Sequence, residues 1–328
     1  LVLPLFFLAA LAAPPSAPVD LGRVYEKNEK LAYQVRSHVT AESRMNGLDT
    51  FIPQDLDINY NFIEQVTAMR PDGIAVMHYE RPSMTEITGE TVNAGPVAKT
   101  TKVDLDYLLS VSPVNQILEE KDVSKSPNRP SEIGGKAIQL RNRQDARSFF
   151  APFISDIHRL ALFIGGVEDS LDFAPKLPLH SVKVGDIWKA TVGFQPQKLK
   201  GSDAKSAVQR LDYAYTYLGP IEKDGKKYLR VEGKLDFSTD LAEFFKQLLG
   251  SQATETNVAK VPLHFTATID FDLDPSTHDT IRAVGVTEGG YQIYLTNDPD
   301  NAMEEERFKG KTTMELTGKK FVAGKTST

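Results

Sequence analysis

The residues whose type and spacing come nearest to a metal site are Asp270, Asp272 and Asp274, three carboxylates at alternate positions. A calcium loop opens on such alternating acids and then takes glycine, which allows its sharp turn. Here Pro275 follows, and bulky Phe271 and Leu273 stand between the acids. The pattern favours a solvated strand face that ends in a turn at Pro275-Ser276, with weak calcium binding assisted by Asp279 as the second reading. The six histidines are His38, His78, His158, His180, His264 and His278, and no two have the H-E-x-x-H spacing of a zinc helix. His264 and His278 come together near Asp270 only if a hairpin joins them.

Other reaction classes leave no mark. The chain has no G-x-S-x-G elbow for a serine nucleophile, no G-x-G-x-x-G and no Walker sequence. Glycosidase chemistry needs two facing carboxylates at a set distance. With 44 acidic residues, some pair meets that condition by chance. A hydrolase with an unmarked carboxylate site therefore stays open, but the chain reads more readily as a non-enzyme, and no cofactor is implied.

Binding is a better use of what is present. Tyr213, Tyr215 and Tyr217 fall on one face of an alternating stretch, opposite Asp212, Ala214 and Thr216. Trp188 is the only tryptophan, and serves either as a core anchor or as a ligand platform. Phe149 and Phe153 lie on an apolar stripe with Ile157 and Leu160. Together these six aromatics are the candidate ligand-binding residues: a cleft between them would take an acyl chain or another envelope amphiphile, whereas a sealed contact would make a scaffold.

The elements that must position them are mostly strands. Residues 31–35, 58–62 and 73–77 are rich in β-branched and aromatic side chains, with a turn at Pro71-Asp72-Gly73. Leu263, Phe265, Ala267, Ile269, Phe271 and Leu273 alternate with polar residues, the clearest half-buried strand in the chain. Residues 62–80 and 213–233 share a strand, D-G turn, strand pattern, which suggests a duplicated β unit. Between them, Leu105, Leu108, Leu109 and Val111 predict a helix over 103–120, broken near Pro113. A stripe from Phe149 to Ile164 predicts a second over 141–164. Asp240 and Glu243 form a capping box for a short helix over 240–249. The expected fold class is mainly β with α (α+β): curved antiparallel sheets covered by central helices. The expected organisation is a signal peptide over 1–13, a first β unit over 20–100, a helical cover over 101–170, a second β unit over 171–318 and a tail over 319–328.

Composition sets the setting. Residues 1–13, LVLPLFFLAALAA, carry no charge, and Asp20 is the first charged residue. Such a run with an A-x-A-like site reads as a secretory signal, too short for the roughly 20 apolar residues of a membrane span. No other segment approaches that length, so no span is expected after cleavage. The chain has no cysteine, which excludes disulfides, thiolate metal sites and a lipid-modified N-terminal cysteine. The net charge of −6 gives no broad positive field for nucleic acid. The short basic clusters, Arg141, Arg143 and Arg147, and Lys198, Lys200 and Lys205, read as solvated faces.

Val182-Lys183-Val184-Gly185-Asp186-Ile187-Trp188, followed by the tyrosine strand and Asp224-Gly225-Lys226, resembles uncharacterised families of exported bacterial proteins. The resemblance covers mainly residues 177–237. It implies a curved antiparallel sheet, loosely like the half-barrel lipoprotein carriers of the envelope, and it transfers no catalytic residue. The sequence thus points to an exported, periplasmic or extracellular protein that binds a lipid-like ligand or an envelope protein. A purely structural or assembly role is the alternative.

Overall fold

Apolar and polar residues alternate with period two through most of the chain, and the backbone answers with strands. The computed structural model describes residues 17–45, 49–89, 97–101, 105–124, 174–194, 209–243 and 258–322. In chain order the strands are β1 (Glu29–Met45), β2 (Ile52–Met69), β3 (Ala75–Arg81), β4 (Met84–Gly89), β5 (Val97–Thr101), β6 (Leu105–Val111) and β7 (Ile117–Asp122). Then come β8 (Ile187–Phe194), β9 (Gln209–Lys223), β10 (Lys226–Asp240), β11 (Val258–Lys260), β12 (Pro262–Leu273), β13 (Thr280–Leu295) and β14 (Asp298–Phe321).

All belong to one sheet, whose main path runs β7-β6-β3-β2-β1-β14-β13-β12-β10-β9-β8. The pairings are antiparallel. Strands β4 and β5 extend from β2, and β11 pairs with β13. The two long strands at the middle, β1 and β14, come from opposite ends of the chain and run side by side from Glu29↔Phe321 to Met45↔Glu304. Most connections are short, as antiparallel neighbours allow. The β9–β10 hairpin turns on Asp224 and Gly225, both at positive φ (52° and 72°), as a two-residue turn matched to strand twist requires.

One face of this sheet is buried and the other is wet. On β1, Leu31, Tyr33, Val35, Ser37, Val39, Ala41 and Ser43 are buried, while the alternate residues are partly or fully exposed. Strands β3, β6, β10 and β12 show the same alternation. The buried face of both flanks forms one contiguous apolar cluster. A second feature is a pinch in β13. A Cβ at Gly289 would collide with the His264 carbonyl oxygen and Phe265 Cβ, and one at Gly290 with the Glu306 carbonyl oxygen. Only glycine lets β12, β13 and β14 approach this closely at this point.

The expected α+β class is overturned: the described residues are almost all strand, in one large antiparallel sheet, and among them no helices cover it. The predicted helix over 103–120 is instead β6, a turn and β7. The reason is visible in the residues. Leu105, Leu108 and Leu109 have helical spacing, but Leu105, Tyr107, Leu109 and Val111 have period two, and these are the buried ones. Neighbours on β3 supply the pairing that decides between the two patterns. The predicted helix over 141–164 lies outside the described residues. Of the helix predicted over 240–249, the described part holds β10 to Asp240 and a helical turn at Ala242-Glu243. Asp240 Oδ1 accepts there from the Ala242 amide (2.9 Å) and from the Val261 amide (2.8 Å).

Candidate functional site

The inner face of the curved sheet is where the chain concentrates its aromatic side chains. On the first flank, Tyr33 stacks on Phe62 (centroids 4.8 Å apart) and Phe62 on Tyr79 (5.3 Å). On the other, Trp188 stacks on Tyr215 (5.8 Å), and Tyr215 on Tyr213 (5.6 Å), with Phe271 tilted against Tyr215 (6.4 Å). The register explains this second group: Trp188 is paired with Tyr215 across β8 and β9, and Tyr215 with Gly233 across β9 and β10. A Cβ at Gly233 would lie 2.9 Å from the Tyr215 ring, so the missing side chain is the space that the ring occupies. The Trp188 indole N–H donates to the Lys176 carbonyl at 2.7 Å. Tyr213 and Tyr217 are buried, and burial pushes both phenols above their ordinary pKa, Tyr213 strongly.

The site residues expected from the sequence thus divide. Trp188, Tyr213, Tyr215 and Tyr217 share one buried aromatic wall, whereas Phe149 and Phe153 lie outside the described residues. The three aspartates do three separate jobs. Asp270 is part-exposed on β12, opposite Glu232. Asp272 Oδ1 accepts from Arg230 Nε (2.8 Å) and Nη2 (2.7 Å). Asp274 lies past the strand end and caps its own turn, accepting from the Ser276 and Thr277 amides and the Ser276 hydroxyl. Burial works against its charge, but those bonds hold its carboxyl below the usual range. Among the described residues, no group of three or more His, Asp or Glu side chains is placed to hold a metal ion.

Two features escaped sequence reasoning. The first is that the inner face turns polar along the middle strands. Ser37, Ser43, Thr287, Thr312, Glu304 and Glu306 are all buried there. Ser37 and Thr312 hydroxyls meet at 2.9 Å across β1 and β14, and Tyr291 donates to Glu306 Oε2 at 3.0 Å. Alternation marks these positions as inward, but only the sheet order brings them into one band.

The second is the closure of one end of this face. Residues 17–28 form a strap with no regular structure beyond one bridge, Val19↔Val182. The Arg23 amide donates to the Pro113 carbonyl (2.7 Å) in the β6–β7 turn, and the Val24 amide to the Thr277 carbonyl (2.9 Å) in the β12–β13 turn. Residues 174–182 run alongside: the Leu177 amide donates to the Val114 carbonyl (3.0 Å), and Asn115 Nδ2 to the Pro175 carbonyl (2.9 Å). Through these segments the β6–β7 edge of the sheet and the β8 edge are tied together at this end.

A buried charge cluster fastens the strap. Arg23 reaches Asp279 through Nε (2.9 Å) and Glu64 through Nη2 (3.3 Å), and lies over the Tyr25 ring (4.6 Å). Lys319 Nζ contacts Asp279 Oδ2 (2.8 Å) and Glu29 Oε1 (2.5 Å). Burial opposes every charge here. For Arg23, Asp279 and Lys319 the partners win: the two cations are held above their ordinary pKa and Asp279 below it. For Glu29 burial wins, and its carboxyl is pushed up.

On the wet face, an open groove of about 670 Å³ crosses β10, β12, β13 and β14, with Gly289 and Gly290 in its lining beside His264, Gln292, Glu305 and Arg307. Arg307 and Arg44 both reach Glu305, and their guanidinium groups lie over the Phe51 ring at 4.6 and 4.8 Å.

No protein-family model matches the chain, and no curated protein matches it. Several solved structures share an overall likeness. One is a lipovitellin structure described for its lipid–protein interactions, at 9% identity and TM-score 0.41, covering 93% of this chain and 26% of that one. This chain therefore spans about a quarter of the lipovitellin chain. A DUF1329 family protein from Desulfovibrio piger is 8% identical with TM-score 0.18, covering 89% and 86% of the two chains. A putative outer membrane lipoprotein-sorting protein domain from Vibrio parahaemolyticus is 8% identical with TM-score 0.17, covering 89% and 87%.

Proposed function

We propose that this is an exported protein of the bacterial cell envelope that binds an amphiphile with an acyl-like apolar part on the inner face of its sheet, without catalysis. The observation that carries this reading is the mixed character of that face. Aromatic walls stand on both flanks and a polar band, with Glu304, Glu306 and Tyr291, runs between them, all of it buried. Burying carboxylates is costly even when they are paired, and Glu304 and Glu306 bear that cost on the face itself, away from the ion cluster that fastens the strap. An amphiphile needs both kinds of surface: apolar contact for its tail and a few placed polar groups for its head. Export is supported by the uncharged apolar run 1–13.

The test is native mass spectrometry of the protein purified gently from the cells that make it, with lipid extraction of the same sample. A stoichiometric adduct that is released on denaturation is the expected result. A bare polypeptide mass, together with no binding of a dansyl-labelled undecanoic acid, overturns the reading and moves the weight to a scaffold role.

A further inference from the structure

We propose that the strap, residues 17–28, is a releasable clasp that gates access to the inner face from the end it closes; this rests on the reading of that face as a ligand face. The strap is attached at separate points rather than along its length. Its backbone bonds go to Val182 before β8, to Pro113 between β6 and β7 and to Thr277 between β12 and β13, and at its far end Asn28 bonds to Val66 on β2 and Val322 after β14. The first three points belong to both edges and to one inner turn of the sheet, and residues 174–182 keep the two edges tied beside the strap when it lifts. His278 Nδ1 adds a contact to the Gly22 carbonyl at 2.8 Å.

The apolar attachment is confined to three residues: Leu21 and Tyr25 are buried in the core and Val19 packs against it, while Val24 is half exposed. A segment held at a few points, outside any ladder, opens locally at lower cost than the ladder beside it. The rest of the fastening is ionic, through Arg23 to Glu64 and Asp279. A buried ion pair fixes position sharply, yet its net stabilisation is small, because release returns both charges to water. That combination distinguishes a clasp from a plug. A plug of buried leucines would be held by transfer free energy that release forfeits entirely.

The chain has no cysteine, so a disulfide can be introduced without side reactions. Val19 and Val182 exchange two backbone bonds, of 2.8 and 2.9 Å. Such a pair has Cα atoms about 5.5 Å apart, within the span a disulfide tolerates. The test is uptake of dansyl-labelled undecanoic acid by Val19→Cys/Val182→Cys, oxidised and then reduced. The expected result is loss of uptake when oxidised and return to the wild-type rate on reduction. Uptake at the wild-type rate in the oxidised protein overturns the gate.

If wild type and reduced variant alike ignore the probe, the ligand-face reading fails, and amide exchange in wild type decides the clasp alone. The amides of Val19, Arg23 and Val24 are expected to exchange on the order of 100-fold faster than those of the β1–β14 ladder, as a locally opening segment does. Exchange at the ladder's own rate shows that the strap is a fixed part of the core and overturns the clasp.

Discussion

Arg23 Nε donates to the Asp279 carboxylate at 2.9 Å, and 256 positions of chain separate the two residues. Both side chains are almost wholly buried, at 4% and 1% exposure. Removing one member of such a pair leaves the other charge in a poorly solvated place, at a cost of about 3–5 kcal/mol. Asp279→Asn keeps the shape and deletes the charge that Arg23 and Lys319 share. It is expected to lower stability by about that amount, as a drop in urea midpoint with unchanged m-value. Glu64→Gln leaves the Arg23–Asp279 and Lys319–Asp279 contacts in place and weakens the longer 3.3 Å contact, and is expected to cost less. Losses below about 1 kcal/mol for Asp279→Asn would equate the cluster with a solvated surface pair.

The same cluster fixes a pH response. The Asp279 carboxyl is held below its ordinary range: burial opposes its charge, and Arg23 and Lys319 outweigh that. A depressed carboxylate contributes stability that is present above its unfolded pKa, about 3.9, and is lost as pH falls through the lower folded value. Glu29 acts in the opposite sense. Burial raises its pKa, so its charged form is a penalty that acidification relieves first. The strap is therefore expected to stay closed from neutral pH down to about 4 and to open only below that. At the alkaline end, Lys319 is held above its ordinary pKa by Asp279 and Glu29 against burial. Its contribution persists through about 10.4 and goes at higher pH. Exchange of the Val24 amide, corrected for the intrinsic rate, reads this out. Opening already between pH 5 and 7 would show that the Asp279 carboxylate does not set the response.

How far the sequence carried this reading depends on the range of the interaction involved. The alternation from Leu263 to Leu273 is the burial pattern of β12, because on a strand period two is set by the residue's own neighbours. Tyr213, Tyr215 and Tyr217 share a face for the same reason. The stretch after Val103 misled because leucine spacing alone does not separate a helix from a strand, and pairing with β3 decided it. Glu304, Glu306 and Ser43 gave no signal as a group, since β1 and β14 meet only through the sheet order. Arg23 is an isolated arginine in an irregular segment. Its partners, Glu64 and Asp279, stand on elements that composition and periodicity do not bring together.

Strand spacing gives a contrast between two glycines. At Gly289 an added Cβ meets the His264 backbone and Phe265 Cβ, neither of which can swing aside. Gly289→Ala is expected to force β12 and β13 apart, at about 1–3 kcal/mol or more. Gly318 is also on a strand, yet its nearest neighbour for a Cβ is Ala32 Cβ at 3.9 Å, an ordinary contact. Gly318→Ala is expected to be neutral or slightly stabilising, by up to about 1 kcal/mol through the unfolded state. Thermal unfolding of the two variants checks the pair. Equal effects would mean that β13 is not pinched between its neighbours.

Trp188 offers a direct view of the aromatic wall, because it is the only tryptophan. The residue is 9% exposed, and its ring lies against Tyr215 and donates to the Lys176 carbonyl at 2.7 Å. The emission of the folded protein is therefore expected to be blue-shifted and poorly quenched by acrylamide, and to move to the red in one step on unfolding. Trp188→Phe keeps an aromatic body but leaves the Lys176 carbonyl without that donor. The loss is expected at about 0.5–1.5 kcal/mol, the usual net contribution of one hydrogen bond. An amphiphile that lodges against this wall displaces contacts around the indole, so titration with unlabelled undecanoic acid is expected to change the emission saturably. The same titration of Tyr215→Leu, which removes the stacked ring while keeping an apolar side chain, is expected to need more ligand for half-saturation. An unchanged midpoint in that variant would place the amphiphile elsewhere on the sheet.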